Sequence, residues 1–368
     1  MKQPNRVLDA KRTGNEACSL RDKLSDMVIG QEEAIEQIVS IYQMHLTGLA
    51  APGRPVGNFL FLGPTGSGKT RTVEAMAEAL TGNPRAVIKI DCGELQHSHE
   101  IAKLIGSPPG YLGHRETHPL LSKEALNQHH TETVKLSFVL FDEIEKASDA
   151  LWNLLLGILD KGTLTLGDNR RVDFSRAMIF MTSNIGAAEM AALNAPKLGF
   201  ERHWGTEKRD EQPDTKMSRT GIAAARRKFA PEFMNRIDKI AVFKPLGEAE
   251  LSRVLDIELA QVQQRILTSS SGRSFVITVS QSGKRFLLDQ GTDIRYGARH
   301  LKRAIERLVV HPLSNLIATN QVNTGDWIEA DFDSVRECLL FTTRTDGRAP
   351  KKVSGILAGQ RRISIAAA

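Results

Sequence analysis

The stretch Gly63-Pro64-Thr65-Gly66-Ser67-Gly68-Lys69-Thr70 constrains this chain more than any other part of it. It follows the apolar run Phe59-Leu60-Phe61-Leu62 and precedes residues 71–80, which have helical character. The order strand, glycine loop, helix dictates a local fold and a ligand class together. Three glycines and small side chains let successive backbone N–H groups curl around an anionic oxygen, and the helix that follows points its positive end at the same place. Lys69 is then set to reach the β and γ phosphates of a nucleotide such as ATP. The Thr70 hydroxyl is the expected Mg²⁺ ligand, because this ion is held on nucleotides mostly by phosphate oxygens and by few protein groups.

Five short apolar runs, residues 59–62, 86–90, 137–141, 178–181 and 240–243, recur with helical segments between them. Strands alternating with helices predict an α/β unit with a parallel five-stranded sheet covered on both faces. Ligands of such sheets bind at the carboxyl ends of the strands, where the glycine loop already lies. Beyond Pro245 the pattern changes. Residues 251–266, 283–289 and 298–317 are helical, and 275–279, 327–332 and 338–342 read as strands, a second and smaller α+β unit. The polar stretch 1–19 reads as a leader or linker, followed by a helix from Leu20. Val28-Ile29 then has two readings, a wall for an adenine ring or a hydrophobic staple between two helices.

The run Phe138-Val139-Leu140-Phe141 leads straight into Asp142-Glu143, two carboxylates at the end of a buried strand. Asp142 is read as a Mg²⁺ holder acting through water. Glu143 is read as the group that orients and deprotonates the water attacking a γ-phosphate. The run 178–181 ends in Thr182-Ser183-Asn184, where Asn184 can bond the attacking water or the phosphate; Asn and Ser after strands also serve as simple turn formers. His129-His130 lacks nearby thiols or a third placed ligand and reads as a solvated loop.

Of 368 residues, no apolar run reaches the ~20 needed to cross a bilayer, and residues 1–12 have no signal-peptide core, so the expected location is cytoplasmic. Cys18, Cys92 and Cys338 are odd in number and far apart, which predicts reduced thiols. The net charge of +6 is concentrated at one end. Residues 344–368 carry Arg344, Arg348, Lys351, Lys352, Arg361 and Arg362 against Asp346, leaving a body of only +1. That distribution predicts a solvated basic tail rather than a nucleic-acid groove.

In order along the chain, residues 63–70, 138–143, Thr182-Ser183-Asn184, 231–238 (Pro-Glu-Phe-Met-Asn-Arg-Ile-Asp) and Tyr296-Gly297-Ala298-Arg299 resemble the second ATPase module of Clp-type AAA+ protein unfoldases. The resemblance covers about residues 20–342, and looser matches extend through 104–113 and 162–165. It implies an AAA+ P-loop NTPase domain over 20–245, a Clp-type small domain over 246–343 and a tail over 344–368. By the same resemblance Arg236 is the arginine finger, supplied to a neighbouring subunit of a ring, expected to be a homohexamer. Arg299 is the second sensor of nucleotide state. Tyr111, between Gly110 and Gly113, is the pore-loop tyrosine that grips polypeptide. His114-Arg115-Glu116-Thr117-His118, just after it, departs from the more acidic, glycine-containing run of the family.

Leu198-Gly199-Phe200 resembles the loop by which some relatives dock on the Clp peptidase; packing of this Leu and Phe beneath a helix of their own domain stays an equal reading. No first ATPase module and no long coiled-coil insertion are visible, so the resemblance implies a single-module protein. The expected activity is ATP-dependent unfolding of unfolded or tagged protein substrates by threading through a central pore, without a membrane. Two other classes are set beside it. An AAA+ remodeller of nucleic-acid complexes is disfavoured by the near-neutral body, and a non-hydrolysing nucleotide scaffold predicts that Glu143→Gln alters no turnover.

Overall fold

The computed structural model describes residue 9 and residues 12–107, 119–194, 213–269, 274–292 and 297–343. Tyr111, Leu198-Gly199-Phe200, Tyr296 and the basic tail lie outside the described residues. By their contacts the residues form two compact units. One runs through Arg253 and takes in 293–300; the other comprises 254–292 and the chain from Leu301 onward. The change from one unit to the other therefore falls within the helix Glu248–Thr268, a few residues past the expected change at 245.

The first unit is built on β1 (Gly57–Leu62), β2 (Ile88–Asp91), β3 (Ser137–Asp142), β4 (Thr163–Thr165), β5 (Arg171–Asp173), β6 (Ala177–Ser183) and β7 (Lys239–Val242). Five of these strands make one sheet in the order β2-β3-β6-β1-β7, with every pairing parallel. All five correspond to the apolar runs read from the sequence. Side chains alternate faces along a strand, and β1 shows the result. Leu60 and Leu62 join Phe141, Ile179 and the helix Asp149–Lys161 on one face, through Leu151, Leu155 and Ile158. Phe59 and Phe61 join Phe138, Phe180 and Phe243 on the other, under the helices Asn15–Met27, Glu32–Leu46 and Lys69–Thr81. The Phe59 and Phe180 rings stack at 4.9 Å, and Phe61 meets Phe243 at the same distance.

One expectation is corrected, and one strand pair was not foreseen. Residues 15–19 are the first turns of the helix Asn15–Met27 rather than leader, with Ala17 fully buried against the sheet-covering helices. The polar residues around Ala17 conceal its helical period. The strands β4 and β5 form an antiparallel pair of three residues each, with a single inward side chain apiece, Leu164 and Val172, too short to show as alternation.

In the second unit, β8 (Val276–Val279), β9 (Trp327–Asp333) and β10 (Cys338–Thr343) make a sheet in the order β10-β9-β8. The pair β9/β10 is antiparallel and β8/β9 parallel. The helical stretch read over 298–317 consists of Ala298–Ile305, a π-type turn Glu306–Val310 and His311–Ala318. Pro312, at the join, has no N–H with which to continue the ladder.

Phe61 is fully buried among Phe59, Phe180 and Phe243. Replacing it with Ala is expected to destabilise the first unit by about 3–5 kcal/mol, read as a fall in its urea midpoint. A midpoint within error of wild type would remove this cluster from the core.

Candidate functional site

The sheet delivers its polar residues to one edge. After β1 the chain turns through the glycine loop into the helix Lys69–Thr81, whose N-cap Gly68 sits at φ +101°. Gly63 has φ +146°, and a Cβ there would stand 2.5 Å from the Phe243 carbonyl oxygen, so no other residue fits between β1 and the end of β7. The helix start and the loop N–H groups form a ready cradle for phosphate.

Lys69 lies buried within the loop. Its ammonium donates to the carbonyls of Gly63 (2.7 Å) and Pro64 (2.9 Å) and to Asn184 Oδ1 (2.9 Å). Desolvation pushes its pKa down to about 8; the carboxylates of Asp142 and Glu145 oppose the fall and Arg299 adds to it. The cation thus has neutral partners and waits for an anion. Asn184 is held from behind, its N–H donating to Glu145 Oε1 at 3.0 Å.

Asp142 ends β3, and its neighbour strand β6 supplies Thr182, whose hydroxyl donates to Asp142 Oδ1 and accepts the Glu143 N–H at 3.1 Å. Thr70 Oγ1 donates to Asp142 Oδ2 at 3.4 Å. This facing hydroxyl and carboxylate are hard oxygen donors that fit Mg²⁺. Among the described residues no group of three His, Cys, Asp or Glu side chains could hold a metal alone; His130 faces Ser137 Oγ at 2.9 Å. Glu143 occupies the left-handed region at φ +56°, uncommon for a residue with a side chain. Its carboxylate pairs with Lys146, whose ammonium is held above its ordinary range by that hydrogen bond.

Val28 and Ile29 are buried just before Gln31, a residue that the motif reading did not include. Gln31 Nε2 donates to the carbonyls of Ser67 (3.1 Å) and Lys244 (3.0 Å), and Oε1 accepts the Lys244 N–H at 3.1 Å. One amide side chain fastens the glycine loop to the end of β7. Thr182 and Glu145 were also missed, since each acts through a residue on another strand. Ala298, beside Arg299, donates its N–H to the Gly66 carbonyl at 3.2 Å, which brings this short segment of the first unit to the loop.

Arg236 is elsewhere. It precedes β7 at the amino edge of the sheet, where its guanidinium donates to the Glu232 carbonyl (2.8 Å) and pairs with Glu232 (3.2 Å) and Asp160 (3.6 Å). Strand β1 separates that edge from the glycine loop by roughly 13 Å over four residues, at about 3.3 Å each.

A model of the AAA domain (Cdc48 subfamily) matches residues 54–240, and one of the C-terminal D2-small domain of ClpB protein matches 246–330. The chain belongs to this AAA family. It is homologous to the ClpB and ClpC proteins, being 38% identical over 312 residues to chaperone protein ClpB of Bdellovibrio bacteriovorus, across 84% of this chain and 33% of that protein. The ATP-dependent Clp protease ATP-binding subunit ClpC of Staphylococcus saprophyticus is 36% identical over 336 residues, 91% of this chain and 39% of its own length. The chain thus spans about a third of the length of the curated relatives it matches. Solved structures agree. A closed-state reconstruction of Hsp104 with ATPγS and FITC casein superposes with a TM-score of 0.71 at 30% identity, over 89% of this chain and 52% of that one. The extended S. cerevisiae Hsp104:casein complex gives 0.74 at 28%, over 90% and 53%. The first unit has the AAA+ fold, a parallel five-stranded sheet bearing a nucleotide loop, similar to these Hsp104 structures.

Two outcomes are expected. Gln31→Ala leaves two buried carbonyls and an N–H without their partner, at about 1–3 kcal/mol, and weakens nucleotide binding measured by calorimetry; unaltered affinity would show that the loop holds its shape alone. Phosphate binding requires the Lys69 ammonium, which the free site holds only below about pH 8. Binding above that pH must therefore take up a proton, so ATP affinity falls by up to about tenfold per pH unit. Calorimetry in buffers of different ionisation enthalpy should find uptake near pH 8.5 and none near pH 6.5, and pH-independent binding would contradict the assignment.

Proposed function

We propose that the chain acts as an ATP-driven protein unfoldase module of the Clp type, in which copies assemble into a ring and each copy completes the ATP site of a neighbour. The observation that carries the reading is the separation of Arg236 from its own glycine loop by the length of β1. A γ-phosphoryl group held at Lys69 has no arginine from its own subunit's Arg236, while the same arginine stands at an outer edge where another copy can meet it. The names of the relatives support the mechanical part, since ClpB is called a chaperone and Hsp104 was solved with casein.

In this scheme the loop N–H groups and Lys69 hold the β and γ phosphates. Thr70 and Asp142 would hold a magnesium ion, which when bound supplies positive charge to the phosphate oxygens. Glu143 takes a proton from the attacking water as the oxygen bonds to the γ-phosphorus, and the bond from phosphorus to the β–γ bridging oxygen breaks with its electron pair leaving on ADP. Thr182 fixes the main chain of the base through its N–H, and Asn184 orients the water or the phosphate. Arg236 of the neighbouring copy neutralises charge on the transferring group. Val28-Ile29 walls the adenine and Arg299 reports nucleotide state. Tyr111 is assigned the grip on the threaded chain, and Leu198-Gly199-Phe200 the docking of a Clp-type peptidase, in line with the name of ClpC as a Clp protease ATP-binding subunit.

Turnover by the purified chain should rise with an unfolded protein such as casein and be indifferent to DNA; stimulation by DNA alone would overturn the reading. Glu143→Gln should lower ATP hydrolysis by about 10²–10⁴ with binding kept. Arg236→Ala should lower kcat by about 10³, and mixing the two variants should restore turnover at sites where each supplies what the other lacks. No recovery on mixing would contradict supply in trans.

A further inference from the structure

Strand β1 is apolar from Phe59 to Leu62, yet the residue before that run is Asn58, fully buried. Its side-chain Nδ2 donates to the Arg236 carbonyl and to the Leu159 carbonyl, each at 3.1 Å. Its main-chain N–H donates to Asp238 Oδ2 at 2.8 Å, and its carbonyl accepts the Asp238 N–H at 2.9 Å. Three bonds therefore tie residues 236–238 to one position of the central strand. The fourth ties the end of the helix Asp149–Lys161, where Asp160 pairs with the Arg236 guanidinium at 3.6 Å.

This amide is an odd choice for filling a core. Asn58 Oδ1 is buried with no protein partner, and an unpaired buried acceptor weakens a fold that an apolar side chain would not weaken. What the amide does supply is a pair of donors aimed at the two segments that set Arg236: its own main chain and the helix end bearing Asp160. Four residues further on, the same strand ends at Leu62 and enters the phosphate loop.

We infer that Asn58 is a positioning residue for Arg236, holding the arginine in the place from which it serves the neighbouring copy. The inference rests on the reading of Arg236 as an arginine supplied in trans. It assigns to Asn58 no contact with ATP. Loss of the amide lets the turn at 235–238 and the end of the helix shift, and a displacement of about 1 Å is enough to cost on the order of 10²-fold in rate.

The test uses the full chain assembled with ATP and compares N58A, N58V, R236A and N58A/R236A. Expected are an ATP affinity within twofold of wild type for both Asn58 variants, which also reports that the first unit is folded, and a kcat lowered about 10- to 100-fold. The double variant should be no slower than R236A, because Asn58 acts through the arginine. Mixing N58A with E143Q chains should give more turnover than either alone, since the intact site of the first then receives Arg236 from the second; damage confined to the N58A subunit's own site is not rescued in this way. An inactive R236A beside Asn58 variants of wild-type kcat overturns the inference alone. Losses that multiply in the double variant, or a mixture without recovery, overturn it as well. A fully active R236A removes the role of the arginine and this inference with it.

Discussion

A single strand buried on both faces and bonded on both sides, β1, is the constraint from which the rest of the structure follows. Its pairing with β6 and β7 is parallel, so three strands end together, at Leu62, Ser183 and Val242. The segments that surround a phosphate are brought to that edge by the backbone hydrogen bonds of the sheet. The close approach of Gly63 to the Phe243 carbonyl and the reach of Gln31 to Ser67 and Lys244 are consequences of the same convergence. The aromatic stack of Phe59, Phe61, Phe180 and Phe243 lies directly beneath, so the polar edge rests on close-packed apolar matter that yields little.

The electrostatics of the edge are arranged for an incoming anion. Lys69 is desolvated and bonded to neutral oxygens, while Asp142 is occupied by the hydroxyls of Thr70 and Thr182. A buried cation without an ion-pair partner is costly, and the lowered pKa is the sign of that cost. Phosphate oxygens relieve it. Glu143, by contrast, is ionically paired at the rim with Lys146 and held by its main chain in the left-handed region, so its position depends on Thr182 rather than on a preference of its own.

Much of this was legible in the sequence, and what was not has a common cause. Four of the five sheet strands announce themselves as uninterrupted apolar runs, as a parallel sheet covered on both faces favours, while Lys89 interrupts the run of β2 at the edge of the sheet. The glycine loop, Asp142, Glu143 and Asn184 were visible because each follows such a run directly. Gln31 was not, for its partners Ser67 and Lys244 are remote in the chain and no local pattern records them. Glu145 and Thr182 were hidden for the same reason, each acting on a residue from a different strand. The helix start at Asn15–Ser19 was concealed by a single buried residue, Ala17, among polar neighbours, and β4 and β5 by having one inward side chain each.

At the other edge of the sheet the Arg236 main chain and its head group are held by interactions of different strength. The main chain is fixed through Asn58, whose Nδ2 donates to the Arg236 carbonyl and whose N–H donates to Asp238 Oδ2 two residues further on. The guanidinium is held by Glu232 and Asp160, whose side chains are 64% and 48% exposed. Ion pairs of that exposure contribute about 0–1 kcal/mol, so releasing the head group from them carries little cost. A fixed base and a loosely held head let an arginine be accurately aimed without being trapped in its own subunit. The strand that fixes the base also carries the phosphate loop at its far end, so Arg236 and the loop are set by the same rigid element.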